Sequence, residues 1–308
     1  MKYLLPAILC LLFSKVLFAN TIDSLKTDKE VEIFINKAYK DSGQKSYQSM
    51  TVMPTDSLIK KLDCNGIAKK WNIKNWEKAD FNKDGLTDII VTVRWYHNFD
   101  VYAVIDKGNN AFSLFRLSKD PSEDCELAKP AFINKQPVLL FYSVKQDPGK
   151  RAYDYINRPQ MDTLVFKYGN FIERNLKLAN YKVKSIRVKA SGCDGTCPVF
   201  ELRIYETAGA SYFADDYSTQ KGDFETKIAA DKFAEIMGLA NYLSAKKLKN
   251  KYAVNWTDAP TVEFTFEFTD GSVKEITDYG MQGTFGLSQL YNLVSQLRLS
   301  ENWKKKRL

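Results

Sequence analysis

Apolar residues recur at helical spacing in four stretches of the chain and alternate with polar ones in several others, and these two periods set out its elements. Thr27-Asp28-Lys29-Glu30 forms a capping box ahead of Val31, Phe34, Ile35 and Ala38, which predicts an amphipathic helix. A shorter helix is expected from Thr55 or Asp56, carrying Leu58, Ile59 and Leu62 toward Cys64. Strand patterns follow at Thr87 to Trp95, Asp100 to Asp106, Ala111 to Leu117, Pro137 to Lys145 and Thr163 to Lys167. Turn signals such as Lys107-Gly108-Asn109-Asn110 and Tyr168-Gly169-Asn170 part them. Strands this close in sequence are read as antiparallel, because parallel neighbours need longer crossovers.

A second block begins at Tyr181. Phe200, Leu202 and Ile204 alternate with polar partners, and Ser211-Tyr212-Phe213 is the return strand. Ala229, Phe233, Ile236, Ala240 and Leu243 form a helical stripe. Val262, Phe264, Phe266 and Phe268 alternate most regularly of all, turn through Asp270-Gly271-Ser272 into Val273 to Thr277, and precede a last helix on Leu287, Leu290, Val294 and Leu297. The expected fold class is α+β in two domains, each an antiparallel sheet with a few packed helices. Their expected limits are 20–180 and 181–300, with a basic tail at 301–308.

Residues 1–19 carry Lys2, an apolar stretch from Tyr3 to Phe13 and a small residue, Ala19, before Asn20-Thr21. That is the pattern of a secretory signal peptide. Cys10 sits too early in the apolar run for a lipoprotein signal. The mature chain is therefore expected to be exported, periplasmic or secreted, and to lack a transmembrane segment. Removing Lys2 and Lys15 takes the formal charge from +8 to +6. Basic residues are scattered among acids except for Lys304-Lys305-Lys306-Arg307, so nothing points to nucleic acid. A protein or glycan partner in the envelope or outside the cell is the expectation.

Between the first helices and the first strands lies Asp80-Phe81-Asn82-Lys83-Asp84-Gly85-Leu86-Thr87-Asp88, running into Ile89-Ile90-Val91. Side-chain oxygens at loop positions 1, 3, 5 and 9, with glycine at 6 and a carbonyl at 7, suit a hard cation such as calcium. The twelfth position is Val91 rather than glutamate, and a strand rather than a helix follows, so this is not a helix-loop-helix switch. The loop resembles the aspartate-rich calcium loops of integrin-type β-propeller repeats, D-x-[DN]-x-D-G-x-x-D. That resemblance covers about a dozen residues and implies Asp80, Asn82, Asp84 and Asp88 as side-chain ligands, with the carbonyl of Leu86 as the fifth. The implied calcium is structural. A metal-free turn rich in Asp and Asn is the alternative.

Four cysteines remain after signal cleavage: Cys64, Cys125, Cys193 and Cys197. An even number in an exported chain favours disulfides. Three pairings exist, and proximity favours Cys193 with Cys197, leaving Cys64 with Cys125. A thiol-disulfide activity at Cys193 and Cys197 is an alternative. However, their C-x-x-x-C spacing between strands lacks the helix start that lowers a thiol pKa.

The segment Ile186 to Leu297, opened by Ser191-Gly192-Cys193-Asp194-Gly195-Thr196-Cys197-Pro198-Val199-Phe200, resembles an uncharacterised domain family of secreted bacterial proteins. The shared front motif is Cys-x-Gly-x-Cys-Pro before an aromatic strand residue, the region spans about 182–298, and the resemblance implies no activity. The chain holds one histidine, His97, and lacks a G-x-S-x-G elbow, an H-E-x-x-H motif, a Walker loop and a G-x-G-x-x-G fingerprint. Asp215-Asp216 and Asp258 are the acids a carboxylate-dependent hydrolase would draw on. With no catalytic constellation in the sequence, the reading leans to a non-catalytic binding or envelope-associated module stabilised by calcium and disulfides.

Overall fold

The capping box forms at the start of the described chain: Thr27 Oγ1 accepts from Glu30 N at 3.3 Å and Glu30 Oε2 accepts from Thr27 N at 2.9 Å. It opens α2 (Asp28–Asp41), which follows the single turn α1 (Thr21–Ser24). The computed structural model describes residues 21–44, 49–119, 125–148, 155–254 and 256–306. The segment read as a signal peptide, residues 1–19, lies outside them. Two short helices, α3 (Thr55–Lys61) and α4 (Ile67–Lys70), lead to the first sheet.

That sheet is a meander of β1 (Trp76–Ala79), β2 (Asp88–Trp95), β3 (Asn98–Asp106) and β4 (Phe112–Arg116). Its central strands are buried on both faces, and the alternation divides the work. Ile89, Val91 and Val93 pack under α1 and α2 against Ile22, Val31, Phe34 and Ile35. Ile90, Val101, Ala103 and Ile105 face the other way, onto Leu139, Phe141, Leu164 and Phe171 of a second sheet. The second sheet is another meander, β5 (Leu127–Ile133), β6 (Gln136–Pro148), β7 (Tyr155–Lys167) and β8 (Asn170–Glu173).

The third sheet has eight strands. They are β9 (Val183–Ala190), β10 (Phe200–Tyr205), β11 (Gly209–Ala214), β12 (Gly222–Lys227), β13 (Lys251–Ala253), β14 (Thr261–Phe268), β15 (Val273–Tyr279) and β16 (Lys304–Lys305). Their order is β13-β15-β14-β9-β10-β11-β12-β16, antiparallel except for β13 beside β15. One face buries Val188, Leu202, Phe264, Phe266 and Phe268 beneath α5 (Ala230–Tyr242) and α6 (Phe285–Ser300). Each such side chain contributes about 1.5–3 kcal/mol of transfer free energy. The opposite face is a ladder of ion pairs, including Arg187–Glu201 at 3.6 Å, Lys189–Glu263 at 3.9 Å and Arg203 with Glu267.

This corrects the expected fold class. Among the described residues strands make up 39% and helices 23%, and they form three sheets where two were expected. The extra sheet arises because the amino-terminal strands divide between two meanders that face each other. The expected pair of separate domains is also not shown. Ile172 of β8 lies in the same core as Phe264 and Leu290, and Phe285 of α6 packs on Phe141, ring centroids 5.3 Å apart. The basic tail gives Lys304 and Lys305 to an edge strand on β12, anchored by the Trp303 ring against Tyr212 at 5.1 Å.

Candidate metal centre and cross-links

The Asp80 loop joins β1 to β2 and is fixed from below by Phe81, 3% exposed, whose ring meets Phe171 edge-on at 5.3 Å. Gly85, at φ +87, takes the left-handed turn that a side chain disfavours. Around that turn the side-chain oxygens accept from the loop's own amides. Asp80 Oδ2 accepts from Gly85 N at 3.0 Å, Asn82 Oδ1 from Asp84 N at 3.2 Å and Asp84 Oδ1 from Leu86 N at 2.8 Å. Asn82 Nδ2 also donates to Asp84 Oδ2 at 2.7 Å.

Asp88 stands deepest, with no exposed surface. Its Oδ2 accepts from Phe81 N at 2.8 Å and its Oδ1 from Asp106 N at 2.9 Å, so the last loop position ties β1, β2 and β3 together. The structure thus brings Asp80, Asn82, Asp84, Leu86 and Asp88 into one tight loop. Among the described residues, however, no three His, Cys, Asp or Glu side chains converge as a ready metal set. One atom is left over: Asp80 Oδ1 is buried without a hydrogen-bond partner. A buried carboxylate oxygen without a donor is costly, and a cation relieves that cost. Carboxylate oxygens carry two lone pairs each, so those already accepting one N–H retain capacity for a metal. On these grounds the residues fit calcium.

Burial pushes the Asp88 carboxyl up to about 7, against the pull of the Asp106 and Phe81 amides and with a further upward push from the Asp84 and Asp80 charges. The folded state then holds a proton that the unfolded chain, with its ordinary value of 3.8, has released. Between these values the folded state binds more protons, so this group's contribution to stability falls as pH rises. In EDTA, the melting temperature of the native protein is expected to fall more steeply from pH 4 to pH 7 than that of Asp88→Asn. Parallel curves for the two proteins would remove Asp88 as the source.

Both expected disulfides are formed. Cys64 and Cys125 have Cα atoms 5.4 Å apart, and Cys193 and Cys197 are at 5.5 Å. The first bridge staples the α3–α4 corner to the start of β5. The second closes the loop between β9 and β10, where Asp194 N reaches Asp258 O at 3.4 Å.

The other nominated residues do not assemble. His97 is exposed in the two-residue turn between β2 and β3, and Asp258 is exposed. Asp215 and Asp216 flank Lys221, whose Nζ lies 4.0 Å and 2.5 Å from them.

Residues 184–298 match a family model described as a domain of unknown function, DUF6438, over a little more than a third of the chain. A DUF6438 domain of unknown function is thus found in the carboxy-terminal part. No curated protein and no solved structure matches the chain. Sequence reasoning did not foresee Asp106 as the amide partner of the loop, because that contact comes from strand pairing 18 residues away.

Proposed function

We propose that the protein is an exported, non-catalytic binding module of the cell envelope, with calcium held in the Asp80–Asp88 loop and the frame stapled by two disulfides. The observation that carries the calcium reading is the buried, partnerless Oδ1 of Asp80 inside a loop of three aspartates. Asp80, Asn82, Asp84 and Asp88 would hold the ion with the Leu86 carbonyl, and the ion would neutralise carboxylates that otherwise repel one another. Its role is to lock β1, β2 and β3 rather than to take part in a reaction. The two formed disulfides support export, since such bridges persist in oxidising compartments.

The test is thermal unfolding in EDTA and in millimolar calcium. An ion that binds the native state alone stabilises it by about 2.7 kcal/mol at a hundredfold excess over Kd. That corresponds to a rise of roughly 4–5 °C for a mature chain of about 290 residues. Asp84→Ala is expected to abolish the rise while leaving the EDTA melting temperature close to that of the native protein. Identical melting with and without calcium would reduce the loop to a metal-free turn.

A further inference from the structure

The loop that joins β8 to β9 presents apolar side chains where the chain had the means to bury them. Leu176 is 73% exposed, the most exposed large apolar residue among those described, and Leu178 beside it is 66% exposed. The loop is clamped at both ends. Asn175 N donates to Tyr242 Oη at 2.7 Å, and Asn175 Nδ2 donates to the Tyr242 carbonyl at 2.5 Å and to Ser244 Oγ at 2.9 Å. At the far end Tyr181 Oη accepts from Lys246 N at 3.2 Å, and its ring sits edge-on to Phe268 at 4.8 Å. The two leucines are therefore held outward on a fixed frame.

The ground around them is cationic. Residues 174–184 carry Arg174, Lys177, Lys182 and Lys184 and no acid. The segment clamped alongside, 245–251, carries four lysines and no acid. Lys177, Lys182, Lys247, Lys249 and Lys251 are all exposed. Asp270 pairs with Lys246 of the second segment at 2.6 Å, and Glu275 is exposed on β15 beside β13.

A single exposed leucine needs no explanation, but a clamped pair flanked by two lysine-rich segments has the chemistry of a bilayer contact. Apolar tips enter the headgroup–acyl boundary while ammonium groups on flexible stems reach lipid phosphates. We propose that this face docks on the surface of an anionic lipid bilayer, through Leu176 and Leu178 with the surrounding lysines. The inference rests on the reading of the chain as an exported envelope protein and names its partner.

The experiment is co-sedimentation of the purified mature protein with vesicles of phosphatidylcholine and phosphatidylglycerol, in EDTA, against vesicles of phosphatidylcholine alone. Binding is expected only with the anionic lipid and is expected to weaken as salt is raised. Each lysine contributes roughly fivefold near an anionic surface, so Lys247→Gln/Lys249→Gln/Lys251→Gln is expected to weaken binding about 100-fold. Leu176→Ser/Leu178→Ser is expected to weaken it about tenfold or more. Both variants change exposed side chains and are expected to melt as the native protein does. Leu176→Trp adds a direct reporter, whose emission is expected to shift to the blue on anionic vesicles.

No binding to the anionic vesicles, equal binding to the neutral ones, or binding that both multiple variants retain would overturn the proposal. Each of those results leaves the export reading standing if cell fractionation still finds the protein outside the cytoplasm. A cytoplasmic location would sink that reading whatever the vesicles show.

Discussion

Replacing Cys64 and Cys125 with alanine is expected to lower stability by about 4 kcal/mol, the chain-entropy value for a closure of this length. The bridge spans a sequence separation of 61 residues. For a single transition of a mature chain of about 290 residues, a loss of that size is expected to bring the melting temperature down by roughly 6–7 °C. The native state adds to the argument. Cys64 is 5% exposed within a small cluster formed by Leu58, Leu62, Ala68, Ile73, Phe99 and Tyr142. Helices α3 and α4 are only seven and four residues long and have no side-chain caps, so they depend on this cluster and on the bridge. Proteolysis is therefore expected to cut first between residues 55 and 74. The corresponding change at Cys193 and Cys197 is expected to cost only about 2 kcal/mol, because that closure is short. Chemical denaturation of both double variants measures the two effects. A Cys64/Cys125 variant within about 1 kcal/mol of the parent would show that the bridge follows the fold rather than holding it.

How far the sequence foretold this arrangement can be judged element by element. The Thr27 capping box and the Phe264 strand were legible because each is a local rule: a side chain reaching three residues on, and a strict period of two. The cysteine pairing was legible because two of four cysteines are near neighbours. β1, β5 and β8 were not. β8 has only four residues, and β5 contains Pro130, which reads as a strand breaker. Proline is tolerated here because β5 is an edge of its sheet. The division of the amino-terminal strands into two sheets was hidden for a different reason, since β4 and β5 follow each other in the chain yet belong to different sheets, and no local period reports that change of partner. At the candidate metal loop the ligand spacing was visible, whereas the burial of Asp88 and its bond to Asp106 follow from strand register. Leu176 and Leu178 are indistinguishable from core leucines by pattern, and only their exposure sets them apart.

A single carboxylate bridges the expected domain boundary at the start of α6, and its removal is the second large effect. Glu173, the last residue of β8, accepts from Phe285 N at 2.6 Å and Gly286 N at 2.9 Å through its two oxygens, capping the first turn of the 16-residue α6. The negative charge complements the helix dipole there, while Thr284 Oγ1 satisfies Leu287 N at 3.1 Å. Gly286 makes room for the contact, since a Cβ at that position would lie 3.3 Å from Glu173 Oε2 and 2.1 Å from Leu243 Cδ2. One turn further along α6, Gln289 donates to the Tyr168 carbonyl at 2.7 Å and accepts from Asn170 at 3.0 Å. Glu173→Ala leaves two inward-facing amides without partners and removes two charge-assisted bonds, at a cost of about 3–4 kcal/mol. Glu173→Gln keeps one acceptor and is expected to recover about half of that. Because β8 and α6 share a core, the native protein is expected to melt in one calorimetric transition. The alanine variant is expected to split it, with the carboxy-terminal sheet separating from the two meanders. A single transition in Glu173→Ala within about 1 kcal/mol of native stability would mean that apolar packing around Ile172 and Phe285 alone binds the two parts together.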